Sequence, residues 1–387
     1  LLFRVLASAE ILIIPTVLMG GTLPVLARIF IRSVDNAGFR LGLIYGVNTL
    51  GGVIGCLLAG FAIIPLLGLN GTLLVGVVIN TAVAILAYAA FAKTGMPGEE
   101  LAPELSAPAA PVDSAMQERA ARLARPMLFA FFMAGFLGLA TEVVWTRMLL
   151  LNVDATAQAF AGMLGVYLLG LAIGSAVSGK LADKYDSVSC YGLLQVLIGV
   201  AMVVCMLAWS SLDWIRIPLW VIERSPSLLR NNAFYKLFAC LAQSAALVFV
   251  PTFLMGFAFP FAGRFFASEI KSLGRRLGSA YMINTLGAML GPLIWGFWCL
   301  PLLGIQNALL LTAAGAALSG AIVLAYVNRK WAVCGAVALC LIIASLAVLP
   351  EKVLAQSYQR RRGKVLHYEE DVDGSVAVLQ TPQRGGD

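Results

Sequence analysis

Residues Pro15–Phe30 read PTVLMGGTLPVLARIF, and residues Pro251–Phe266 read PTFLMGFAFPFAGRFF. The match continues without a gap through GFRLGLIYGVNTLGG in the first stretch and GRRLGSAYMINTLGA in the second, at a constant spacing of 236 positions (251 − 15). A long segment that occurs twice at a fixed spacing indicates a duplicated architecture. We call residues 15–68 copy one and residues 251–304 copy two.

The composition places this duplication in a membrane. Hydrophobic residues make up 60% of the 387 residues, charged residues 12%, and the mean hydropathy is +0.89. Soluble domains carry about 25% charged residues, so this chain lacks the material for a water-facing surface. Apolar runs of about 20 residues predict about ten membrane-spanning helices. The fold class is therefore predicted to be an all-α polytopic membrane protein, with the lipid bilayer as its first partner.

Changes in composition divide the chain into five predicted regions. Residues 1–92 form the second part of a first helical half, and a Pro- and Ala-rich linker follows at 93–126. Residues 127–327 form a second helical half, 328–350 an extra transmembrane helix, and 351–387 a polar region that resembles the start of a soluble domain. In that last region, two short strand-like runs flank the segment EEDVDG and predict a β-hairpin.

The charged residues predict orientation rather than nucleic-acid binding. The net charge is +7, but the cations lie in short connections between apolar runs, and no basic run is interleaved with aromatic residues. Alternate connections hold most of the Lys and Arg, which predicts that those connections lie in the cytoplasm. Seven scattered cysteines without a CxxC pair, together with a single histidine, predict no metal site and no cofactor.

The two copies are predicted to have the same orientation. About six membrane crossings separate them, and an even number returns the chain to the same side. Three spans precede copy two within its half, whereas copy one begins near Leu1. We therefore expect that the first three spans of a complete bundle are missing, so that the chain is a fragment of a longer protein.

One connection holds a candidate charge latch. The loop SGKLADKYD joins two spans and contains Lys180, Asp183 and Lys184. It resembles the G-x-L-A-D signature of major-facilitator transporters, in which the carboxylate meets basic groups and helix ends near the membrane surface. An ordinary solvated loop is the competing interpretation, and the sequence leaves both open.

Ionisable side chains inside apolar runs mark a candidate polar site. Glu142 and Arg147 lie in ATEVVWTRMLL, and Glu10 lies in the first apolar run. Because charges in lipid are costly, such residues face a bundle interior or a partner. They predict a polar site in a central cavity, and a structural ion pair or an arginine reaching the interface is the competing interpretation.

Asn48 and Asn284 occupy equivalent positions of the two copies, each followed by a glycine three residues later. Asparagine forms hydrogen bonds between membrane helices, and glycine permits close backbone approach. Their presence in both copies favours a packing role over a role in binding a solute, and both remain candidates for the intramembrane site.

Taken together, the segment EVVWTR, the span that ends in SGKLAD, the repeated PTxLMG and YxxNTLG, and the tail VLHYEEDVDGSVAVLQ resemble the bacterial fused major-facilitator/spermidine synthase proteins. This resemblance implies a major-facilitator-like bundle with a parallel internal repeat, in the inner membrane of a bacterium. It also implies a following soluble domain that transfers an aminopropyl group from decarboxylated S-adenosylmethionine to putrescine. The nucleotide-binding loop and the catalytic aspartates of that domain correspond to no residue before Asp387, so no catalytic residue is assigned.

Three functions are compatible with these features. The first is a membrane-embedded module of a spermidine synthase-like protein of polyamine biosynthesis, not catalytic by itself. The second is a major-facilitator-type transporter of small organic or cationic solutes. The third is a structural subunit of a larger membrane complex, with other membrane subunits as partners.

Overall fold

The computed structural model describes residues 2–31, 33–94, 114–150, 157–211, 238, 240–267, 273–348, 364–370 and 375–380. This part of the chain is helical except for one small two-stranded sheet. The chain is an all-α multi-pass membrane protein by the length and composition of its helices.

The described residues form ten α-helices: α1 (Leu2–Phe30), α2 (Ala37–Leu58), α3 (Ile64–Thr94), α4 (Ser114–Leu150), α5 (Ala157–Lys184), α6 (Ser187–Ser211), α7 (Val250–Phe266), α8 (Leu273–Ile294), α9 (Leu300–Val327) and α10 (Arg329–Val348). Three π-helical segments, in which the chain makes wider turns, join some of them: Ala59–Ile63 between α2 and α3, Ala245–Phe249 before α7, and Trp295–Cys299 between α8 and α9.

Seven helical segments of the described chain are long and apolar enough to cross a membrane: Ile13–Phe30, Val34–Ala90, Glu118–Leu149, Gln158–Lys184, Ser187–Ser210, Cys240–Phe266 and Gly274–Val327. The sequence predicted about ten spans. The count differs because two of the seven segments have 57 and 54 residues, each more than twice the length of about 20 that one crossing needs. The apolar stretch of α10, Lys330–Ser345, is shorter than each of these seven segments.

A glycine with a positive φ interrupts each of the two long segments. Gly68 has φ 67° and Gly304 has φ 74°, a conformation that strains residues with a Cβ atom. The indole Nε1 of Trp295 donates a hydrogen bond of 3.2 Å to the carbonyl of Ala308. In a straight helix thirteen residues span about 20 Å, so this bond shows that the chain reverses near Gly304.

The two copies have the same local structure. Helix α2 begins at Ala37 and α8 at Leu273, and each helix passes into a π-helical segment at equivalent residues. Helices α1 and α7 also end at equivalent phenylalanines, Phe30 and Phe266. The prolines, glycines and apolar residues shared by the copies therefore produce the same helix boundaries at the same spacing.

Close backbone contacts hold the bundle together. Helix α5 packs on α2 and α7, α4 packs on α8 and α9, and α6 packs on α9. Glycines lie at these crossings: a Cβ atom on Gly320 of α9 would overlap the carbonyl of Gly192 in α6, and one on Gly256 of α7 would overlap that of Leu171 in α5. Lipid tails are as apolar as leucine, so close packing rather than apolar burial drives helix association in a membrane.

The predicted linker, residues 93–126, is shorter in the structure because α4 already begins at Ser114. The residues MQERAARLAR before the apolar part are good helix formers, and Leu123 is buried. Helix α10 lies within residues 328–350, where the sequence predicts an extra transmembrane helix, but its apolar stretch is not among the seven segments long enough to cross. The tail forms the predicted hairpin: β1 (Lys364–Glu370) pairs antiparallel with β2 (Ser375–Gln380).

Candidate functional site

A cavity of about 310 Å³ lies inside the bundle, between α2 and helices α4 to α9. Glycine and alanine residues of α4 leave the space open: Ala134, Gly135 and Gly138 line the cavity. Most of the wall is apolar, with Leu, Met and Phe side chains from α4 to α7. Such a mostly apolar chamber with a few polar groups is the usual form of a small-molecule site.

The polar groups of this cavity come from five helices. Tyr45 lies on α2, Tyr167 on α5, Tyr191 and Gln195 on α6, Glu142 on α4 and Asn284 on α8. The amide of Gln195 donates to the hydroxyl of Tyr191 at 2.7 Å, and that hydroxyl donates to the carbonyl of Ala130 at 3.3 Å. Tyr45 stacks on Phe259, with ring centroids 4.0 Å apart. The walls are therefore fixed by contacts between helices.

Glu142 is the charged residue of this cavity. Its side chain is half-buried on α4, in the middle of a membrane-spanning segment. No hydrogen bond or ion pair of its carboxylate is found within the part of the chain that the structure describes. A carboxylate in a membrane interior is costly without a partner, and a cation or a hydrogen-bond donor in the cavity would lower that cost.

A second cavity of about 340 Å³ follows α4 toward its C-terminal end. Leu139 and Glu142 line both cavities, and the second is completed by Val143, Thr146, Arg147, Phe160 and Pro292. Arg147 is half-buried and is held by an interaction of its own. The predicted pair of Glu142 and Arg147 thus faces one common space, and Glu142 stands where the two cavities share a wall.

The two asparagines that the sequence singled out have different surroundings. The side-chain amide of Asn284 donates to the carbonyl of Phe131 at 2.7 Å, which fixes α8 against α4 beside the first cavity. Asn48 is exposed on the outside of α2 and lines neither cavity. Glu10 lies on α1, but its side chain is outside the described residues.

Asp183 forms a junction between three helices at one end of the bundle. Its two carboxylate oxygens accept hydrogen bonds of 2.7 and 2.8 Å from the backbone N–H groups of Gly38 and Phe39, at the start of α2. The Nε of Arg264, near the end of α7, lies 3.4 Å from the same carboxylate. A carboxylate at a helix N-terminus satisfies free N–H groups and the positive end of the helix dipole.

The neighbours of Asp183 differ in their roles. Lys180 is exposed and lies over the ring of Phe39 at 5.6 Å, and Lys184 lies over the ring of Tyr185 at the same distance. Neither distance joins a lysine to Asp183, so the carboxylate meets helix ends and an arginine rather than the lysines of its own loop. Arg264 belongs to copy two and Gly38 to copy one, so the connections of both copies lie at the same end of the bundle.

Sequence reasoning missed three side chains of the first cavity, Tyr167, Tyr191 and Gln195. Each lies in an apolar run without a charged neighbour, and a lone tyrosine or glutamine in such a run carries no spacing signal. Only the packing of α5 and α6 against α4 brings these residues to one space. No group of three or more His, Cys, Asp or Glu side chains suited to a metal lies among the residues that the structure describes.

The fold and the cavities together define the class: a multi-pass α-helical membrane protein with a polar cavity between its helices. No family model, no curated protein and no solved structure matches the chain. The functional argument therefore rests on the geometry of the cavities and on the internal repeat.

Proposed function

We propose that the chain is a membrane carrier module that binds a small cationic solute at Glu142. The observation that carries this proposal is the position of that carboxylate, which lines two cavities in a membrane-spanning bundle. A carboxylate in such a place attracts an ammonium group, because the charge of each offsets the desolvation of the other.

The size of the cavities supports a small solute. Drug-sized ligands occupy pockets of about 300–1,000 Å³, and each cavity lies at the lower end of that range. Hydroxyl and amide groups of Tyr191, Gln195 and Asn284 line the first cavity, where they would orient a solute that carries a second polar group. A linear diamine carries one ammonium group for Glu142 and a second polar group at its other end.

We propose further that the bundle is of the major-facilitator type, with its two copies related by a parallel repeat in a bacterial inner membrane. The matching helix boundaries of α2 and α8 support this relation, as does the common end of the bundle at which both copies place their basic connections. In major-facilitator proteins the two halves are parallel repeats, and the solute site lies between them near the midplane.

The test is uptake and binding of a labelled diamine, putrescine, by the full chain in proteoliposomes. We expect saturable binding that Glu142→Gln reduces at least about tenfold, because the amide loses the charge. Glu118→Gln is the matched control, since Glu118 is exposed on the same helix. Equal binding by wild type and Glu142→Gln would contradict the proposal.

A second candidate function is that of the membrane module of a spermidine synthase-like protein. The observation that favours it is the hairpin of β1 and β2, which follows the last helix where the family resemblance implies the start of a soluble domain. The two candidates are compatible, because putrescine is both a diamine and the aminopropyl acceptor of that reaction.

Aminopropyl transfer is the measurement that tests this second candidate. Membranes from the source cells, precipitated with an antibody against the chain, are expected to convert putrescine to spermidine with decarboxylated S-adenosylmethionine as donor. The purified 387-residue chain is expected to show no transfer. Transfer by the purified chain, or its absence from the precipitate, would contradict the second candidate. If the chain shows no uptake and the precipitate shows no transfer, these results would favour a structural subunit.

A further inference from the structure

The repeat provides two versions of one helix, α2 in copy one and α8 in copy two, and they differ in what covers them. Each helix has an asparagine face, formed by an asparagine and two glycines at equivalent positions: Asn48, Gly51 and Gly55 in α2, and Asn284, Gly287 and Gly291 in α8. Each helix also has a threonine face on its opposite side, formed by four residues at equivalent positions. These are Gly42, Gly46, Thr49 and Val53 in α2, and Gly278, Met282, Thr285 and Met289 in α8.

In copy two, helix α4 covers the asparagine face. Asn284 donates its hydrogen bond to the carbonyl of Phe131. Gly287 and Gly291 are buried, and a Cβ atom on either would overlap the carbonyl of Phe132 or Phe136. This is close helix packing of the Gly-x-x-x-Gly type, in which an asparagine adds a hydrogen bond to a backbone carbonyl.

In copy one, the same face is bare. Asn48, Gly51 and Gly55 are all exposed, and no atom of the described residues lies within 4 Å of a Cβ built on either glycine. No hydrogen-bond partner of the Asn48 side chain is found among the described residues. An amide that faces lipid without a partner is costly, and the same three residue types serve close packing in copy two.

The threonine faces show the opposite difference. In copy one, helix α5 covers this face: Gly42 packs on the carbonyl of Ser175, and the hydroxyl of Ser175 donates to the carbonyl of Gly42 at 3.1 Å. Val53 is 5% exposed, whereas its counterpart Met289 is 62% exposed. Each copy thus shows which helix covers the face that the other copy leaves open.

We infer that the bundle binds two further membrane-spanning helices, one on the asparagine face of α2 and one on the threonine face of α8. The partner is a pair of consecutive helices outside residues 1–387. The first presents small residues and a free backbone carbonyl to Asn48, as the Phe131–Gly135 part of α4 does for Asn284. The second presents a small-residue surface to Met282 and Met289, as α5 does for α2.

A second copy of this chain does not fit these faces. The helices that cover the equivalent faces are α4 and α5, and both are already packed on α8 and α2 of their own chain. The third face of each helix gives a reference, because its residues are exposed in both copies: Leu50 and Ile54 in α2, and Leu286 and Leu290 in α8. For that face, the comparison of the copies assigns no covering helix.

Photo-crosslinking in membranes of the source cells tests this inference. A photoreactive amino acid replaces Asn48, Met282 or, as the control, Leu286 in the full chain, and all three positions are on the surface of the bundle. We expect adducts at positions 48 and 282 with two consecutive membrane-spanning helices of one polypeptide, identified by mass spectrometry. Position 286 is expected to give lipid adducts.

A second variant ties the adduct to the proposed contact. Gly51→Ile places a large side chain one turn from Asn48 on the same face, so it should lower the adduct at position 48 about tenfold and leave that at position 282 within about twofold. Lipid adducts alone at 48 and 282, a protein adduct at only one of them, or adducts with a second copy of this chain would each overturn the inference. None of these results bears on diamine binding at Glu142.

Discussion

Copy one and copy two share their sequence pattern and their helix boundaries, yet the same residue types have different surroundings in each. Asn284 is fixed to a backbone carbonyl of α4, and Asn48 is exposed. Met289 is exposed, and Val53 is buried. Local structure therefore follows from the repeated sequence, whereas the burial of each residue depends on which neighbouring helices are present.

The functional side chains do not follow the repeat. Glu142 lies on α4, outside both copies, and only copy two contributes its asparagine to the cavity. The two copies therefore form part of the cavity wall. The charged residue, Glu142, comes from α4, which lies between the copies in the sequence. This division explains why a duplicated framework surrounds a site that has no twofold symmetry.

The largest effect is expected where the copies differ most in packing. Gly287→Leu should lower the stability of the purified chain by about 3 kcal/mol, because its side chain would meet the backbone of α4, while Gly51→Leu should leave it unchanged. Thermal unfolding in detergent, followed by tryptophan fluorescence, measures both variants. Equal losses in the two variants would show that the copies are packed alike.

The next effect should be the same in both copies, because it is local. Gly68→Ala and Gly304→Ala should each cost about 1–3 kcal/mol, the strain of a Cβ atom at positive φ with an extended ψ. Gly76→Ala on α3 is the control, and it should be neutral or slightly stabilising, since this helical glycine has free space around it. Thermal unfolding compares the three variants, and a neutral Gly68→Ala would mean that the turn is not required.

Asp183 joins the two copies, so its removal tests their junction. Asp183→Ala should cost about 1 kcal/mol, the usual value of a lost helix cap, because Gly38 and Phe39 lose their acceptor. Asp35→Ala, at an exposed position near the start of α2, should cost less. The thermal unfolding midpoints of the two variants measure which loss of stability is larger. A larger loss for Asp35→Ala would contradict the role of Asp183.

A smaller effect is expected at the asparagines. Asn284→Leu should cost about 0.6 kcal/mol, an average for a hydrogen bond between membrane helices, while Asn48→Leu should be neutral or stabilising in the purified chain. In native membranes, Asn48→Leu should become destabilising if a helix covers that face. Thermal unfolding of the purified variants checks the first pair of values.

The smallest effect concerns pH and the half that contains copy two. Burial opposes ionisation of Asp186, but hydrogen bonds from Ser189 and the guanidinium of Arg119 outweigh it and lower the pKa of this carboxyl. A lowered pKa in the folded state adds stability above the unfolded pKa of about 3.9, and this stability is lost as the pH falls through the lower folded value.

Acid titration of unfolding should therefore show a small loss of stability below about pH 4 that Asp186→Asn removes. Asp35→Asn serves as the control, because Asp35 is exposed in a connection of copy one. An identical acid response in wild type and Asp186→Asn would contradict the assignment.

The amino-acid sequence was sufficient to predict the membrane class, the repeat, most helix positions and the terminal hairpin. These follow from composition, apolar runs and the spacing of Gly and Pro, which act locally along the chain. It also indicated Glu142, because an ionisable residue in an apolar run has few inexpensive roles. It predicted about ten spans where the structure has seven continuous apolar segments, since nothing in PLLG shows that two helices can follow each other at one glycine without a loop.

The contacts of each equivalent residue depend on the tertiary structure. It placed Asn284 against α4 and left Asn48 bare, brought Tyr167, Tyr191 and Gln195 to the cavity of Glu142, and directed Asp183 to the first turn of α2. The physical reason is that contacts between membrane helices depend on which backbones approach closely, and that approach involves residues far apart in the chain.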